Sequence, residues 1–137
     1  LHQSKLVKYF GKENESIKKI EKDLNNYLKK IKKSKKNYSI TKDIILIEAM
    51  VSDGVEIKED YKNLYGTKEN TIPTDIQVLI NDQEIGMAVL RLIEIIGQDK
   101  IKDLGSETLY FLINALNQMN IDPIRNEILY SVLPLRA

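Results

Sequence analysis

The sequence predicts an all-α fold in which antiparallel helical hairpins stack as a small bundle or a short α-solenoid of about six or seven helices. Apolar residues recur at intervals of three and four along most of the chain, which is the period of one helix face. Helix-starting and helix-ending residues divide this pattern into segments. No pair of alternating segments with hairpin signals occurs in the sequence. A chain of 137 residues is about one domain, so residues 1–137 are expected to form a single helical domain.

The first predicted helix begins at Asn14 or Ser16 and carries one narrow apolar stripe. Its other positions are nearly all Lys, Glu, Asp or Asn, as in a coiled-coil seam or a helix on the surface of a bundle. The stripe is too short for an independent coiled coil, so it needs a partner in the same chain or in another. We predict that it contacts a protein partner or a second copy. The residues assigned to this contact are Ile17, Ile20, Leu24 and Ile31.

The second predicted helix runs to Met50, with Ser39 or Thr41 as its cap. It is apolar on most sides, and we expect it to lie at the centre of the fold. The sequence Ser52-Asp53-Gly54 ends it, because glycine tolerates the left-handed conformation that follows a helix.

A polar connection containing one short helix follows, from Val55 to Pro73. Tyr61 and Tyr65 lie one helical turn apart in it, and they are predicted either to anchor a partner or to pack the connection onto the core. Four nearby acids could offer oxygen ligands to Mg²⁺ or Ca²⁺, but they lack the spacing of a calcium-binding loop. We favour an acidic, solvated connection that faces the basic N-terminal segment. The four acids are Asp53, Glu56, Glu59 and Asp60.

Residues 72–137 are predicted to form a core of helical hairpins. Thr74 is expected to cap a short helix, and Asn81 with Glu84 resembles an N-terminal capping pattern for a longer helix that stops at Gly97. After a connector, Ser106 is expected to cap a helix that Asn120 ends.

The last predicted helix starts at Asp122-Pro123 and stops at Pro134. Asn114 and Asn117 are expected to make hydrogen bonds between helices. The charged residues of the later helices are expected to lie at the surface. These are Arg91, Glu94, Arg125 and Glu127.

Charge is divided unevenly along the chain. Residues 1–40 form a basic amphipathic segment with 12 Lys and 4 acids, whereas the remainder carries 9 basic and 16 acidic residues. A solvated helix face is the simplest interpretation, but a lysine cluster with Tyr27 and Tyr38 nearby could also contact phosphates. The lysines of this alternative polyanion site are Lys29, Lys30, Lys32, Lys33, Lys35 and Lys36.

The sequence contains few residues of the kinds that usually carry out catalysis. It has no Cys, its single histidine is His2, and it contains neither a P-loop nor a Gly-x-Gly-x-x-Gly motif. We therefore predict no catalytic residue, no metal site, no cofactor and no enzymatic activity. Its longest apolar runs are far below the ~20 residues that span a bilayer, so we expect a soluble protein, of unassigned compartment. Because the chain begins with Leu1, we expect a processed chain or a piece of a longer one.

The C-terminal half resembles α-helical-repeat regions of uncharacterised bacterial proteins, of the tetratricopeptide-like α-solenoid type. Four short motifs within Ile72 to Ala137 carry the resemblance: Leu-Ile-x-Ile-Ile-Gly at a helix end, Leu-Gly-Ser-x-Thr-Leu, Asn-Ala-Leu, and Ile-Asp-Pro-Ile-Arg at a helix start. The resemblance implies stacked helical hairpins and brings no catalytic residues. It favours a noncatalytic protein-interaction or scaffold module, with nucleic-acid or other polyanion binding through the N-terminal helix as the alternative.

Overall fold

The computed structural model describes residues 4–11, 16–34, 41–62, 64, 72–97 and 100–133. Within these ranges the chain is helical and has no β-strand, which confirms the predicted all-α class. The α-helices are α1 (Ile17–Ser34), α2 (Thr41–Ser52), α3 (Thr74–Asn81), α4 (Ile85–Ile96), α5 (Ser106–Met119) and α6 (Asp122–Val132). Three 3₁₀ segments accompany them: Lys5–Gly11, Glu59–Tyr61 and Ile101–Asp103. None of the helices in these ranges combines the length and the apolarity that crossing a bilayer requires.

Helix α5 lies at the centre of the fold, with α2, α3 and α6 packed around it. Half of its residues are buried, because apolar side chains occupy more than one of its faces. The prediction that the second helix is central is confirmed, since α2 buries residues on most sides and packs along α5. The Tyr110 hydroxyl donates a hydrogen bond to Glu48 across this contact, at 3.2 Å. Burial, aided by the Glu48 carboxylate, raises the pKa of Tyr110 to about 12.

The predicted helix ends at Gly54, Gly97 and Asn120 are confirmed, and Pro134 lies outside the described residues. Gly54 and Gly97 have φ angles of 98° and 64°, and Asn120 takes the left-handed conformation at the end of α5. The backbone amide of Asn120 bonds to Asn117 and Leu116, which satisfies carbonyls that the helix end would otherwise leave unpaired.

Three predicted helix caps, at Thr74, Asn81 and Ser106, are wrong. Pro73 and Gly105 occupy the N-cap positions of α3 and α5, and neither Thr74 nor Ser106 caps its helix with a side chain. Asn81 is the last residue of α3 rather than the cap of α4. The turn between α3 and α4 is closed by the backbone instead, because the Glu84 amide donates to the carbonyl of Leu79 at 2.8 Å.

Helix α1 folds back onto its own chain. Leu24 and Leu28 are 0% and 1% exposed, and α1 packs against the Lys5–Gly11 segment. Ile20 and Ile31 are half-buried against the same core, whereas Ile17 remains 47% exposed. The assignment of Leu24 to an external partner is therefore corrected: it is a core residue, because a 3₁₀ segment that carries no clear helix signal covers the stripe.

The connection after α2 lies along the flank of α1. Asn25 is the main link, since its Oδ1 accepts from the Lys58 amide at 3.0 Å and its Nδ2 donates to the Glu56 carbonyl at 3.2 Å. Tyr61 is half-buried against the core, which corresponds to the packing alternative, and the Lys32 ammonium lies 5.7 Å from its ring centroid. Tyr65 lies outside the described residues.

Arg125 is buried rather than solvated, so its predicted surface position is wrong. It is 0% exposed, its Nη2 donates to both Asp53 oxygens at 2.8 and 2.7 Å, and its Nη1 donates to Asn117 Oδ1 at 3.1 Å. The residue lies on the inward face of α6, one turn before Ile128 and Leu129, so its guanidinium needs internal acceptors. Its hydrogen bond confirms that Asn117 links two helices.

Candidate binding surfaces

An apolar groove lies between α4 and α6, with α5 as its floor. Its narrow part has a volume of about 200 Å³. The floor is formed by Leu112 and Leu116, and the Ile101–Asp103 segment contributes Ile101. Every residue of the lining is apolar. The wall residues are Val89, Leu92, Ile93 and Ile96 of α4, Ile121 of the turn between α5 and α6, and Ile124 and Ile128 of α6.

Helix α4 exposes this wall because its sequence carries more apolar residues than one packed face can cover. It buries Ala88 and Leu92, while the wall residue Ile93 remains 58% exposed, and Leu90, next to the groove but outside its lining, is 59% exposed. The charges of α4 are Arg91 and Glu94, which pair with each other at 3.0 Å and lie outward, as predicted. An exposed run of this kind is typical of a contact surface.

The groove widens toward the end of α6. Ile101, Ile124 and Ile128 line both the narrow part and a second depression of about 670 Å³ that reaches Val132. Ile124 is 52% exposed although it belongs to this wall. Lys100 and Glu127 add one charge of each sign to the wide end. The two depressions therefore form one continuous groove with an apolar centre and a charged end.

The sequence missed this groove. Its residues were predicted as core, and partner binding was assigned to α1 and the two tyrosines instead. The available signal was α4 itself, because Leu90 and Ile93 stand outside the Ala88–Leu92 face that packs inward. A stripe broader than a single packed face indicates a second contact.

The groove offers contact surface rather than reactive groups. Its narrow part contains no titratable or hydrogen-bonding side chain. The four acids considered for Mg²⁺ or Ca²⁺ do not form a cluster with metal-site geometry in the described part of the chain. Asp53 is engaged by Arg125, and Glu56 points away into solvent.

A second surface is the outward side of α1, which is uniformly basic. At 100° per residue, Lys18, Lys22, Lys29 and Lys33 fall in one row on the side opposite Leu24 and Leu28. All four are exposed.

Both acids of α1 lie on its flanks and have partners inside the chain. The Glu21 carboxylate accepts from the Glu56 amide, and the Tyr9 hydroxyl donates to Asp23. Of the lysines predicted to form a polyanion site, Lys29, Lys30 and Lys33 are exposed, and Lys32 is exposed but donates to the Asp60 carbonyl at 3.4 Å. Lys35 and Lys36 lie outside the described residues.

No family model, curated protein or solved structure matches this chain at a significant level. The resemblance to tetratricopeptide-like α-solenoids thus stays a prediction, and functional inference rests on the two surfaces.

Proposed function

We propose that this protein is a noncatalytic interaction module whose groove between α4 and α6 binds one amphipathic helix of another protein. The observation that carries the proposal is the continuous apolar lining contributed by α4, α5, α6 and the Ile101–Asp103 segment, with Ile93 and Ile124 more than half exposed along it. Apolar surface of this extent in one place is typical of a protein-interaction site.

The chemistry of the lining favours a helix over an extended peptide. The narrow part offers no hydrogen-bonding side chain, so an extended strand lying in it would leave its backbone N–H and C=O groups without partners. A helix satisfies these groups internally and presents apolar side chains at positions i, i+3, i+4 and i+7. Lys100 and Glu127 at the wide end can pair with charges on the helix flanks.

The exposed area is sufficient for a reversible contact. Covering the exposed half of one Ile side chain contributes about 1 kcal/mol, so Ile93, Ile101 and Ile124 together contribute about 3 kcal/mol. Apolar anchors of the partner add a similar amount, against which the loss of translational and rotational freedom must be set. The expected complex is a weak, transient one.

The first test measures binding of a synthetic amphipathic peptide with leucines at i, i+3, i+4 and i+7. The methyl signals of Ile93, Ile101 and Ile124 should shift in a saturable manner in NMR titrations. Ile93→Lys and Ile124→Lys should each weaken the affinity by about tenfold or more, which is at least about 1.4 kcal/mol. Val78→Lys is the matched control, because Val78 is 50% exposed on α3 and lies outside the groove lining.

Three results would contradict the proposal. One is the absence of methyl shifts at any peptide concentration, and another is an equal effect of a scrambled peptide of the same composition. The third is concentration-dependent dimerisation in sedimentation experiments that Ile124→Lys abolishes, because the occupant of the groove would then be a second copy of the chain.

A further inference from the structure

The outward face of α1 carries a straight row of positive charge. Lys18, Lys22, Lys29 and Lys33 span 15 residues, which is about 22 Å along the helix axis. Asn26 occupies the middle of the row and adds an exposed amide. Of the two acids of α1, Asp23 lies on the far flank, whereas Glu21 is half-buried beside Lys18 and Lys22.

The connection after α2 adds a fifth lysine to one end of this row. The backbone amide of Lys58 donates to Asn25 Oδ1, and this bond holds the residue beside α1. Lys18, Lys22 and Lys58 line a shallow, polar depression of about 310 Å³ together with Asn25 and Asn26. Glu21 also lies in the depression, where its Oε1 accepts from the Glu56 amide at 3.0 Å. Three ammonium groups and one carboxylate therefore line this depression, which leaves a net positive charge at the start of the row.

We propose that this face, formed by Lys18, Lys22, Lys29, Lys33 and Lys58, binds the phosphate backbone of duplex nucleic acid without reading its sequence. A straight row of lysines can follow the regularly spaced phosphates of a duplex, and lysines supply charge rather than base-specific contacts. This activity is independent of the groove between α4 and α6.

Two other polyanionic ligands, an anionic membrane surface and single-stranded nucleic acid, fit the face less well. Membrane-surface helices insert an apolar side among the lipids, whereas the apolar side of α1 is buried against its own chain through Leu24 and Leu28. Single strands are held largely by stacking on exposed aromatic rings. Tyr27, the aromatic residue of α1, is half-buried on the opposite flank and lies under the Lys30 ammonium at 5.7 Å. Duplex nucleic acid presents a rigid, regularly spaced array of phosphates. A row of lysines can bind it through charge alone, without an inserted apolar side or stacked aromatic rings.

Binding of phosphates by these lysines predicts how strongly the affinity depends on salt concentration. With four to five phosphate contacts, the slope of log affinity against log salt concentration is about −4. Affinity for a fluorescein-labelled duplex DNA of arbitrary sequence should therefore fall roughly 200-fold between 50 and 200 mM salt. Fluorescence anisotropy measures both quantities on the full chain.

The test variant replaces Lys18, Lys22, Lys29 and Lys33 by glutamine. Glutamine and lysine have similar helix propensities, so circular dichroism should show an intact helix while the salt slope drops by about 3 to 4. The control removes equal charge elsewhere at exposed positions, through Lys5→Gln, Lys8→Gln, Lys62→Gln and Lys100→Gln. It should retain most of the affinity and the slope.

The same assays can overturn the proposal. It is wrong if the wild-type chain does not bind the duplex at 50 mM salt, or if the control loses as much affinity as the row variant. Binding to vesicles containing anionic lipid, without binding to the duplex, would assign the face to a membrane instead. Ile124→Lys in the groove should leave duplex affinity unchanged, so failure here and failure of the groove proposal are distinguishable.

Discussion

Arg125 holds a positive charge at a position with 0% exposure, so its contribution depends entirely on its partners. Both Asp53 oxygens accept from Nη2, and Asn117 and Asn126 supply further acceptors. The guanidinium also lies 5.9 Å from the centroid of the Phe10 ring. A single side chain thus joins α6 to the end of α2, to α5 and to the N-terminal 3₁₀ segment.

Replacing this arginine should be far more damaging than replacing an exposed one. We expect Arg125→Met to lower the free energy of unfolding by about 3 kcal/mol, because the half-buried Asn117 amide and the paired Asp53 lose their donor. Arg91→Met, which breaks exposed pairs with Asp75 and Glu94, should cost less than about 1 kcal/mol. Urea unfolding of the two variants measures the difference. Equal losses would show that the Arg125 pairs contribute no more than surface ion pairs.

The ion pair of Arg125 was beyond sequence reasoning because the carboxylate that it binds is distant in the chain. Asp53 is 72 residues away, and the Asp53 acid looks like one of several in a polar connection. The period of α6 does place Arg125 on the same face as Ile128 and Leu129, so burial could have been read from spacing alone. What could not be read is that the fold provides a matching carboxylate.

At the scale of the element, α4 shows which signals of helix boundaries are reliable. Its end at Gly97 was predicted, because the conformation there, φ 64° and ψ −135°, is one that glycine adopts readily and other residues do not. Its beginning was not predicted, because a backbone turn after α3 took the place of the expected side-chain cap. A side-chain cap can be replaced by such a backbone turn, whereas a positive φ angle strongly favours glycine at that position.

Two glycines of this helix should therefore respond oppositely to the same substitution. Gly97→Ala places a side chain in a strained conformation and should destabilise the protein by about 1 to 3 kcal/mol. Gly86 has helical geometry, and an added Cβ would meet nothing within 4 Å, so Gly86→Ala should stabilise it by about 0.5 kcal/mol. Thermal unfolding followed by circular dichroism compares them. Shifts of the same sign would contradict this account of the helix.

At the scale of the molecule, the buried residues of all the described α-helices and of the Lys5–Gly11 segment join in one hydrophobic core. The all-α class and most helix positions were predictable, because they follow from period and stop residues. The partners of the helices were not. The apolar stripe of α1 indicated a contact but not the partner in that contact. The segment that covers the stripe, which contains Leu6, Val7 and Phe10, has no helix signature in the sequence.

The groove escaped prediction for a related reason. Exposed and buried apolar residues look alike in a sequence, so Leu90 and Ile93 became visible as surface only when the packing of α4 was known. The basic face was easier to predict, because charged residues can be identified directly in the sequence. The residues of this face nevertheless differ from the prediction. The predicted run extended from Lys29 to Lys36, whereas the face in the structure is a row that starts at Lys18 and includes Lys58.

A shared core predicts that α1 unfolds together with the rest of the chain. Leu24 is 0% exposed, so Leu24→Ala should lower the free energy of unfolding by about 2 to 5 kcal/mol. Ile17→Ala, on the same stripe but 47% exposed, should cost less than about 1 kcal/mol. In urea, the far-ultraviolet helix signal and the tyrosine fluorescence should change at one common midpoint, and Leu24→Ala should move both together. If Leu24→Ala instead separated the two transitions, with the Tyr110 environment around α5 left intact, α1 would be an independent unit attached to the bundle rather than part of its core.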